Sequence, residues 1–246
     1  MTDLKNKTAI ITGSSRGLGK KTAIALAKQG ANVVVNYNSN ESEALSTVNE
    51  ILSDGGNAIA IKADVSKSED INNLFEKTVE HFGKIDILVN NAGIMVTKFL
   101  KDFSEEEFDK QFSINVKSVF LMMKKASETL EQNGRIINIS SSTSRLMMPG
   151  YAVYSATKSA VEQMTRVFAK EIGSKGITVN SVLPGPIKTE LFLNGKSDEL
   201  INRIASLSAF NRIGEVEDII PIILFLSGND SQWITGQNIG INGGMA

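Results

Sequence analysis

Short apolar runs rich in β-branched residues alternate with longer amphipathic stretches along the whole chain. Such runs are typical of buried strands, and stretches with apolar residues three and four apart are typical of helices. The pattern predicts strands at residues 8–12, 32–36, 58–62, 85–90, 135–140, 177–183 and 237–241. It predicts helices near residues 17–29, 41–54, 68–82, 104–131, 153–173 and 215–227.

The predicted strands are apolar at nearly every position, which indicates that both faces of the sheet are covered. Strands that alternate with helices form parallel βαβ units with right-handed crossovers. No linker or shift in composition divides the chain. We therefore expect an α/β fold over residues 1–246: a single-domain Rossmann fold, with a seven-stranded parallel sheet and helices on both faces. Residues 188–212 interrupt the alternation, and we expect a substrate lid there.

Composition excludes several classes of function. The 246-residue chain has a net charge of -1, which argues against binding nucleic acid. It has no cysteine and one histidine, so thiolate catalysis is excluded and no metal site is expected. The amino terminus lacks the pattern of a signal peptide, and the longest apolar run is short and contains Pro221. We expect a cytoplasmic protein that does not enter the membrane.

A glycine-rich turn follows the first predicted strand, in the sequence Gly13-Ser-Ser-Arg-Gly-Leu-Gly19. Glycines let main-chain N–H groups approach a pyrophosphate at a helix amino terminus. The same letters also fit the G-x-S-x-G nucleophile elbow, but that enzyme needs a histidine late in the chain, and the one histidine is His81. A Walker A turn does not match in spacing. The turn therefore predicts a dinucleotide site.

The end of the second predicted strand indicates which dinucleotide binds. NAD enzymes place an acid there for the ribose 2′-hydroxyl. This chain has Asn36-Tyr37-Asn38-Ser39, with no acid before Glu41. Amide and hydroxyl groups could donate to a 2′-phosphate, and Arg16 in the turn could add a charge-assisted bond. These features favour NADP(H).

Tyr154 and Lys158 are four residues apart at the start of a predicted helix. Side chains at that spacing lie on the same helical face. Tyrosine and lysine titrate near 10, so neither alone transfers protons well at neutral pH. An ammonium that stabilises the phenolate lowers the tyrosine pKa. The pair therefore predicts an acid–base couple.

The motifs in order resemble the short-chain dehydrogenase/reductase family, from about residue 5 to the carboxyl end. The turn Thr12–Gly19 fits the TGxxxGxG motif, Asn90–Gly93 fits NNAG, and Tyr154 with Lys158 fits YxxxK. Ser141 stands thirteen residues before the tyrosine, Asn115 lies in Ile-Asn-Val, and Pro184-Gly185 precedes Thr189. The later segments resemble 3-oxoacyl-carrier-protein reductases, hydroxynaphthalene reductases and glucose dehydrogenases alike.

The resemblance implies a role for each matched residue. Tyr154 would protonate the substrate oxygen, Lys158 would lower the tyrosine pKa and hold the nicotinamide ribose, and Ser141 would bind the substrate oxygen. Asn115 would bind a water molecule leading to Lys158. Asp64 would contact adenine, and Thr189 with Ile187 would hold the carboxamide. The expected cofactor-binding residues are Gly13, Ser15, Arg16, Gly17, Leu18, Gly19, Asn36, Tyr37, Asn38, Ser39, Asp64, Val65, Asn91, Ala92, Gly93, Tyr154, Lys158, Pro184, Gly185, Ile187 and Thr189.

These features predict an NADPH-dependent reductase that converts a carbonyl to an alcohol, with 3-oxoacyl-carrier-protein reduction as one form of that reaction. The alternatives are a sugar or polyol dehydrogenase working in the oxidative direction, and a non-catalytic NADP-binding sensor. A sensor would be expected to lose the tyrosine or lysine, and this chain keeps both.

The substrate wall and the assembly are less defined by sequence. Residues 146–149 with Phe192, Leu193, Leu200 and Phe210 fit either an apolar pocket or ordinary packing. Residues 119–123, together with the apolar positions of helix 153–173, make helices that are apolar on several sides. A sheet covers one side only, so we expect a subunit interface; the family resemblance implies a homotetramer.

Overall fold

Seven parallel strands form one sheet, in the order β3-β2-β1-β4-β5-β6-β7. The computed structural model describes residues 3–246. The strands are β1 (Thr8–Ile11), β2 (Asn32–Tyr37), β3 (Asn57–Lys62), β4 (Ile87–Asn90), β5 (Arg135–Ile139), β6 (Thr178–Pro184) and β7 (Asn238–Ile241). The predicted Rossmann fold and its seven-stranded parallel sheet are confirmed, and every predicted strand is present within about two residues of its expected ends.

Helices connect consecutive strands. They are α1 (Gly17–Lys28), α2 (Glu41–Ser53), α3 (Ser68–Phe82), α4 (Glu105–Phe112), α5 (Ser118–Thr129), α6 (Thr143–Leu146), α7 (Ala152–Ile172), α8 (Glu190–Leu193), α9 (Asp198–Ala205) and α10 (Ile220–Ser227). Short 3₁₀ turns lie at Leu100–Asp102, Gly173–Lys175, Val216–Asp218 and Asn229–Ser231. Among the helices of residues 3–246, none is both long and apolar enough to cross a membrane.

The sheet separates two apolar cores. Successive residues of a strand point to opposite faces, so Ile11 packs into one core and Ile10 into the other. The first core holds the apolar faces of α1, α2 and α10, and the second holds those of α3, α5 and α7. Both faces are therefore covered, which explains why the strands are apolar throughout.

The strand order reverses between β1 and β4, which are neighbours in the sheet. The chain runs outward from β1 through β2 to β3, then crosses back to β4 and continues to β7. Loops on either side of such a reversal diverge and leave a crevice beyond the carboxyl ends of the strands, where open α/β sheets bind ligands. The glycine-rich turn after β1 and the Asn90–Gly93 segment at the end of β4 therefore meet at one edge.

Two predicted helices differ from the structure. The expected helix 104–131 is interrupted by a π-helical segment at Ser113–Lys117, between α4 and α5. A π turn inserts one residue into the helix without changing its apolar character, so the hydrophobic pattern does not reveal it. The expected helix 215–227 begins as an α-helix only at Ile220, because Pro221 occupies its first turn, where no main-chain donor is needed.

Candidate active site

A cleft of about 870 Å³ lies at the reversal point, beyond the carboxyl ends of the strands. It is lined by every predicted catalytic and cofactor-binding residue except Asn115. One end of the cleft, the β2 side, contains Asn38, Ser39 and Asp64. The other end, the β5 side, contains Ser141 and Tyr154. The sequence motifs, scattered over more than half of the chain, converge on one surface.

The glycine-rich turn has a conformation that side chains would obstruct. Gly13 and Gly17 have φ values of 60° and 56°, which L-residues rarely adopt. A Cβ atom at Gly19 would lie 2.5 Å from both the Asn91 amide nitrogen and the Gly13 carbonyl oxygen. Asn91 fixes this approach by donating to the Thr12 and Gly13 carbonyls, at 2.9 and 3.1 Å.

The amino terminus of α1 is open to an anion. Arg16 is its N-cap, makes no capping hydrogen bond with its side chain, and is followed by a first turn without an acid. The N–H groups at the start of a helix have no partner within the helix, and the helix dipole favours negative charge there. The turn residues therefore fit a pyrophosphate laid across this end of α1.

The side chain of Asn36 is directed into the protein, against expectation. Its amide nitrogen lies 3.1 Å from the Ala63 carbonyl and 3.3 Å from that of Ile61, and its oxygen accepts from the Gly13 N–H at 3.2 Å. Both amide protons are satisfied by main-chain carbonyls in an almost fully buried site. The prediction that Asn36 donates to a 2′-phosphate is therefore wrong; its side chain instead anchors the glycine-rich turn to β3.

The β2 side is also lined by a carboxylate that the sequence did not predict. Glu43, one turn into α2, reaches the cleft, and its buried Oε2 atom has no hydrogen-bond partner within residues 3–246. Tyr37 is buried and donates to Glu41 at 3.0 Å; burial and this neighbour raise the Tyr37 pKa. The groups on this side that remain available to a phosphate are Asn38, Ser39 and Arg16.

Arg16 forms an ion pair with Glu190 at 2.9 Å. Glu190 begins α8, so this contact joins the glycine-rich turn to the segment predicted as a lid. Both side chains are well exposed, and such a pair contributes little stability. Arg16 can therefore exchange Glu190 for another anion at small cost.

Tyr154 is buried in the first turn of α7, facing the cleft. Burial raises the pKa of Tyr154 to about 12, although hydrogen bonding with Ser141 acts in the opposite direction. The Lys158 nitrogen lies 5.6 Å from the centre of the Tyr154 ring. In the protein alone burial therefore outweighs the hydrogen bond with Ser141, and the expected lowering of the tyrosine pKa by Lys158 stays a prediction.

Lys158 is a buried cation with an oxygen partner. Its Nζ donates to the Ile139 carbonyl at 2.8 Å, and only 5% of the residue is exposed. Burial lowers its pKa to about 8, and the charge of Glu162 acts against this. At neutral pH the side chain is therefore mostly an ammonium, placed beside the tyrosine ring.

Asn115 lies in the π-helical segment, outside the cleft lining. Its Oδ1 accepts from the Ile94 N–H at 2.8 Å, and its Nδ2 donates to the Ile94 carbonyl and the Thr157 hydroxyl at 2.9 and 3.2 Å. Both amide protons are thus used inside the protein. The side chain therefore holds the loop after β4 against α7, and the prediction that Asn115 binds a water molecule leading to Lys158 stays a prediction.

An apolar wall lines part of the cleft. Leu146, Met148 and Phe192 line the cleft, in agreement with the interpretation of these residues as a pocket wall. Tyr151 and Ile204 also line the cleft, although the sequence did not predict them. Met147 and Phe210 are 85% and 70% exposed and line neither the cleft nor the core. Tyr151 could have been found from sequence, because it lies three residues before Tyr154 on the same helical face.

Comparison with known proteins gives consistent matches. A family model described as Enoyl-(Acyl carrier protein) reductase matches residues 13–246. A chloroplastic NADPH-dependent aldehyde reductase-like protein of Arabidopsis thaliana is 43% identical, over 98% of this chain and 94% of the relative. A short-chain type dehydrogenase/reductase of Picea abies is 39% identical, over 98% and 93%. A solved angucycline C-6 ketoreductase with bound NADP has a TM-score of 0.94 and 36% identity, over 99% and 97%.

Gly19→Ala should weaken NADPH binding by at least about tenfold, because its Cβ cannot be accommodated between Asn91 and Gly13 without opening the turn. Titration of NADPH fluorescence measures the effect. Gly173→Ala is the matched control, since a Cβ there meets nothing within 4 Å. Equal affinities in the two variants would contradict the assignment of the turn.

Proposed function

The chain belongs to the short-chain dehydrogenase/reductase family, and from this premise we propose that it is an NADPH-dependent reductase of bulky apolar ketones. The observation that carries the proposal is the meeting of Ser141, Tyr154 and Lys158 on the β5 side of a cleft whose other side fits a dinucleotide. An aldehyde reductase-like relative and a ketoreductase of similar structure support carbonyl reduction.

The nucleotide would lie along the cleft with its pyrophosphate at the amino terminus of α1. Arg16, Asn38 and Ser39 would face the 2′-phosphate, with Arg16 leaving Glu190 to do so. Asp64 and Val65 would border the adenine, and Ala92 with Gly93 the path of the ribose. A bound nicotinamide would supply a hydride to the substrate carbon. Pro184, Gly185, Ile187 and Thr189 would border that ring.

The protonated phenol of Tyr154 suits the reductive direction. With a pKa of about 12 the phenol holds its proton at neutral pH and can donate it to an oxygen that gains charge. Oxidation of an alcohol needs the phenolate, which burial disfavours. Ser141 would donate to the same oxygen, and the Lys158 ammonium would stabilise the phenolate left after the proton has moved. All three side chains then act in the same proton transfer to the substrate oxygen.

The substrate wall favours an apolar ring system over a sugar. Leu146, Met148, Phe192 and Ile204 give this region an apolar surface, whereas a polyol requires paired polar groups for its hydroxyls. An acyl chain of a 3-oxoacyl thioester also fits an apolar wall, so that substrate is the second candidate. The solved relative named as an angucycline C-6 ketoreductase supports the ring-shaped ketone.

The segment 188–212 supports the lid proposal by its position. Leu191, Phe192, Asn194 and Lys196 reach the cleft from α8 and the loop after it. Its two ends are joined where Lys188 N–H donates to Gly214 and Gly214 N–H to Pro186, at 2.9 and 2.8 Å. Most of its residues are exposed, and a segment that is closed at its base and exposed above can move as a unit. We propose that it closes over the substrate.

A cofactor-consumption assay tests the function. Purified protein should oxidise NADPH faster with 2-tetralone, a fused-ring ketone, than with acetoacetyl thioester, and should reduce neither glucose-derived sugars nor the C=C bond of a crotonyl thioester. Glucose with NADP⁺ should give little NADPH, because the apolar wall leaves sugar hydroxyls without partners. No NADPH oxidation with any ketone would contradict the proposal, and preference for the acetoacetyl thioester would select the second candidate.

Tyr154→Phe should lower turnover with the preferred ketone by about a thousandfold, because the phenylalanine has no proton to give. NADPH affinity should change by less than about threefold, since the lost hydroxyl is replaced by hydrogen within the same buried ring. Steady-state kinetics and NADPH titration measure the two effects separately. Retained turnover would remove Tyr154 as the acid.

We also propose that the protein assembles through α5 and α7, as a homotetramer. Phe120 on α5 and Val167 on α7 are 49% and 48% exposed although both are large and apolar. Symmetric self-association would cover them. The cytoplasmic location stays a prediction, and one relative is named chloroplastic.

Replacing both apolar residues with charge, in Phe120→Glu/Val167→Glu, should dissociate the assembly, because buried carboxylates without partners are costly. Light scattering after size-exclusion chromatography gives the mass directly. Lys124→Glu, an exposed site on α5, serves as the control. A wild-type mass equal to that of the monomer would contradict the assembly.

A further inference from the structure

Three contacts join the end of β5 to α7 directly behind Ser141. Lys158 Nζ donates to the Ile139 carbonyl at 2.8 Å. The next residue, Ser140, places its hydroxyl 2.8 Å from Glu162 Oε1 and 3.3 Å from the Lys158 carbonyl oxygen. Ser140 therefore lies between α7 and the serine that faces the substrate.

The Ser140 hydroxyl has one proton, which goes to one acceptor at a time. The carboxylate is nearer than the carbonyl and carries a charge, so the bond to Glu162 is the stronger of the two. Glu162 follows Lys158 by four residues on the same helical face. The Glu162 carboxylate thus binds Ser140, directly after β5, and lies one helical turn from the buried Lys158 ammonium.

We propose that Glu162 is a positioning residue of the active site, which holds Ser140, and through it Ser141, against α7 and is the carboxylate one helical turn from Lys158. The inference rests on the proposed reductase function. Glu162 acts through its neighbours and does not line the cleft.

Glu162 is the carboxylate that acts on the charge of Lys158. The titratable groups beside it on α7 and its cap are Tyr151, Tyr154 and Glu162, and of these Glu162 carries the negative charge that acts on it. β5 contributes the Ile139 carbonyl, and Ser140 after it places its hydroxyl against the Lys158 main-chain carbonyl. The loop after β4 contributes Gly93, and the π-helical segment the neutral amide of Asn115.

The sign of the effect follows from these groups. Burial lowers the pKa of Lys158 to about 8, and Glu162 acts to raise it. The ammonium is present below that pKa and is lost as the pH rises through it. Removing the negative charge of Glu162 lowers the pKa further, so the loss begins at a lower pH.

Glu162→Gln separates charge from contact, because its amide oxygen can still accept from Ser140. Its kcat at pH 6 should stay within about twofold of wild type, while the fall of kcat at alkaline pH should move down by at least about 0.5 pH unit. Glu162→Ala loses the contact as well as the charge, so its kcat should fall about tenfold at pH 6 and its alkaline limb should move down as in Glu162→Gln. Glu162→Asp, which keeps the charge, should retain the wild-type alkaline limb.

Two control variants complete the series. Ser140→Ala keeps the carboxylate but breaks the bridge, so its kcat should fall while its alkaline limb stays in place. Glu171→Gln makes the same charge change on an exposed site of α7 and should match wild type. An alkaline limb that moves equally in Glu171→Gln and Glu162→Gln would overturn the assignment, since any carboxylate of the helix would then suffice.

A second readout needs no nucleotide or substrate. The ¹³Cε resonance of Lys158, assigned by its disappearance in Lys158→Met, reports the lysine pKa during a pH titration of the protein alone. The pKa should be lower in Glu162→Gln than in wild type. An unchanged pKa together with an unchanged kcat profile overturns the inference. A wild-type protein that reduces no ketone but shows the pKa difference refutes the proposed function and leaves the charge effect standing.

Discussion

The position of one buried ammonium determines the geometry of the site. Lys158 lies where β5 ends and α7 passes over it, and its partner is the main-chain oxygen of Ile139. A buried cation without an oxygen partner would be costly, so the strand end and the helix are held at a fixed separation. Ser141 follows that strand and Tyr154 precedes that lysine by one helical turn. The hydroxyl, the phenol and the ammonium therefore face the same part of the cleft.

The sheet supplies the second half of the site. Because β1 and β4 are adjacent, the glycine-rich turn and the Asn90–Gly93 segment meet, and Asn91 binds the carbonyls of Thr12 and Gly13. This contact keeps the amino terminus of α1 open toward the cleft. A nucleotide laid there would end beside Lys158, since Gly93 lies against both Asn115 and the lysine. The fold thus aligns the proposed anion site with the proposed proton donor.

Sequence predicted the elements well because their signals are local. Apolar β-branched runs and amphipathic stretches recur with the strand and helix periods, and the predicted ends are within about two residues for most elements. The π-helical segment was missed because one inserted residue leaves the apolar pattern intact. The glycine-rich turn and the Tyr154–Lys158 pair were found because their spacing along the chain reflects their geometry.

What sequence did not reveal depends on side-chain direction and distant partners. Asn36 was assigned to the cofactor because it ends β2, yet its amide points to carbonyls of β3 and the residue after it. Arg16 and Glu190 are far apart in the chain, so no periodicity predicts their ion pair. Glu43 and Glu162 also lie on ordinary helical faces, and only the packing of α2 and α7 brings them to the site.

The central claim is that this cleft adds a hydride to a carbonyl carbon and a proton to its oxygen. NADPH carrying deuterium at the transferred position of C4 tests it, with the product examined by NMR and mass spectrometry. We expect one deuterium on the carbinol carbon and an exchangeable hydrogen on the oxygen. A product without deuterium, or with it on a carbon of a reduced C=C bond, would contradict it.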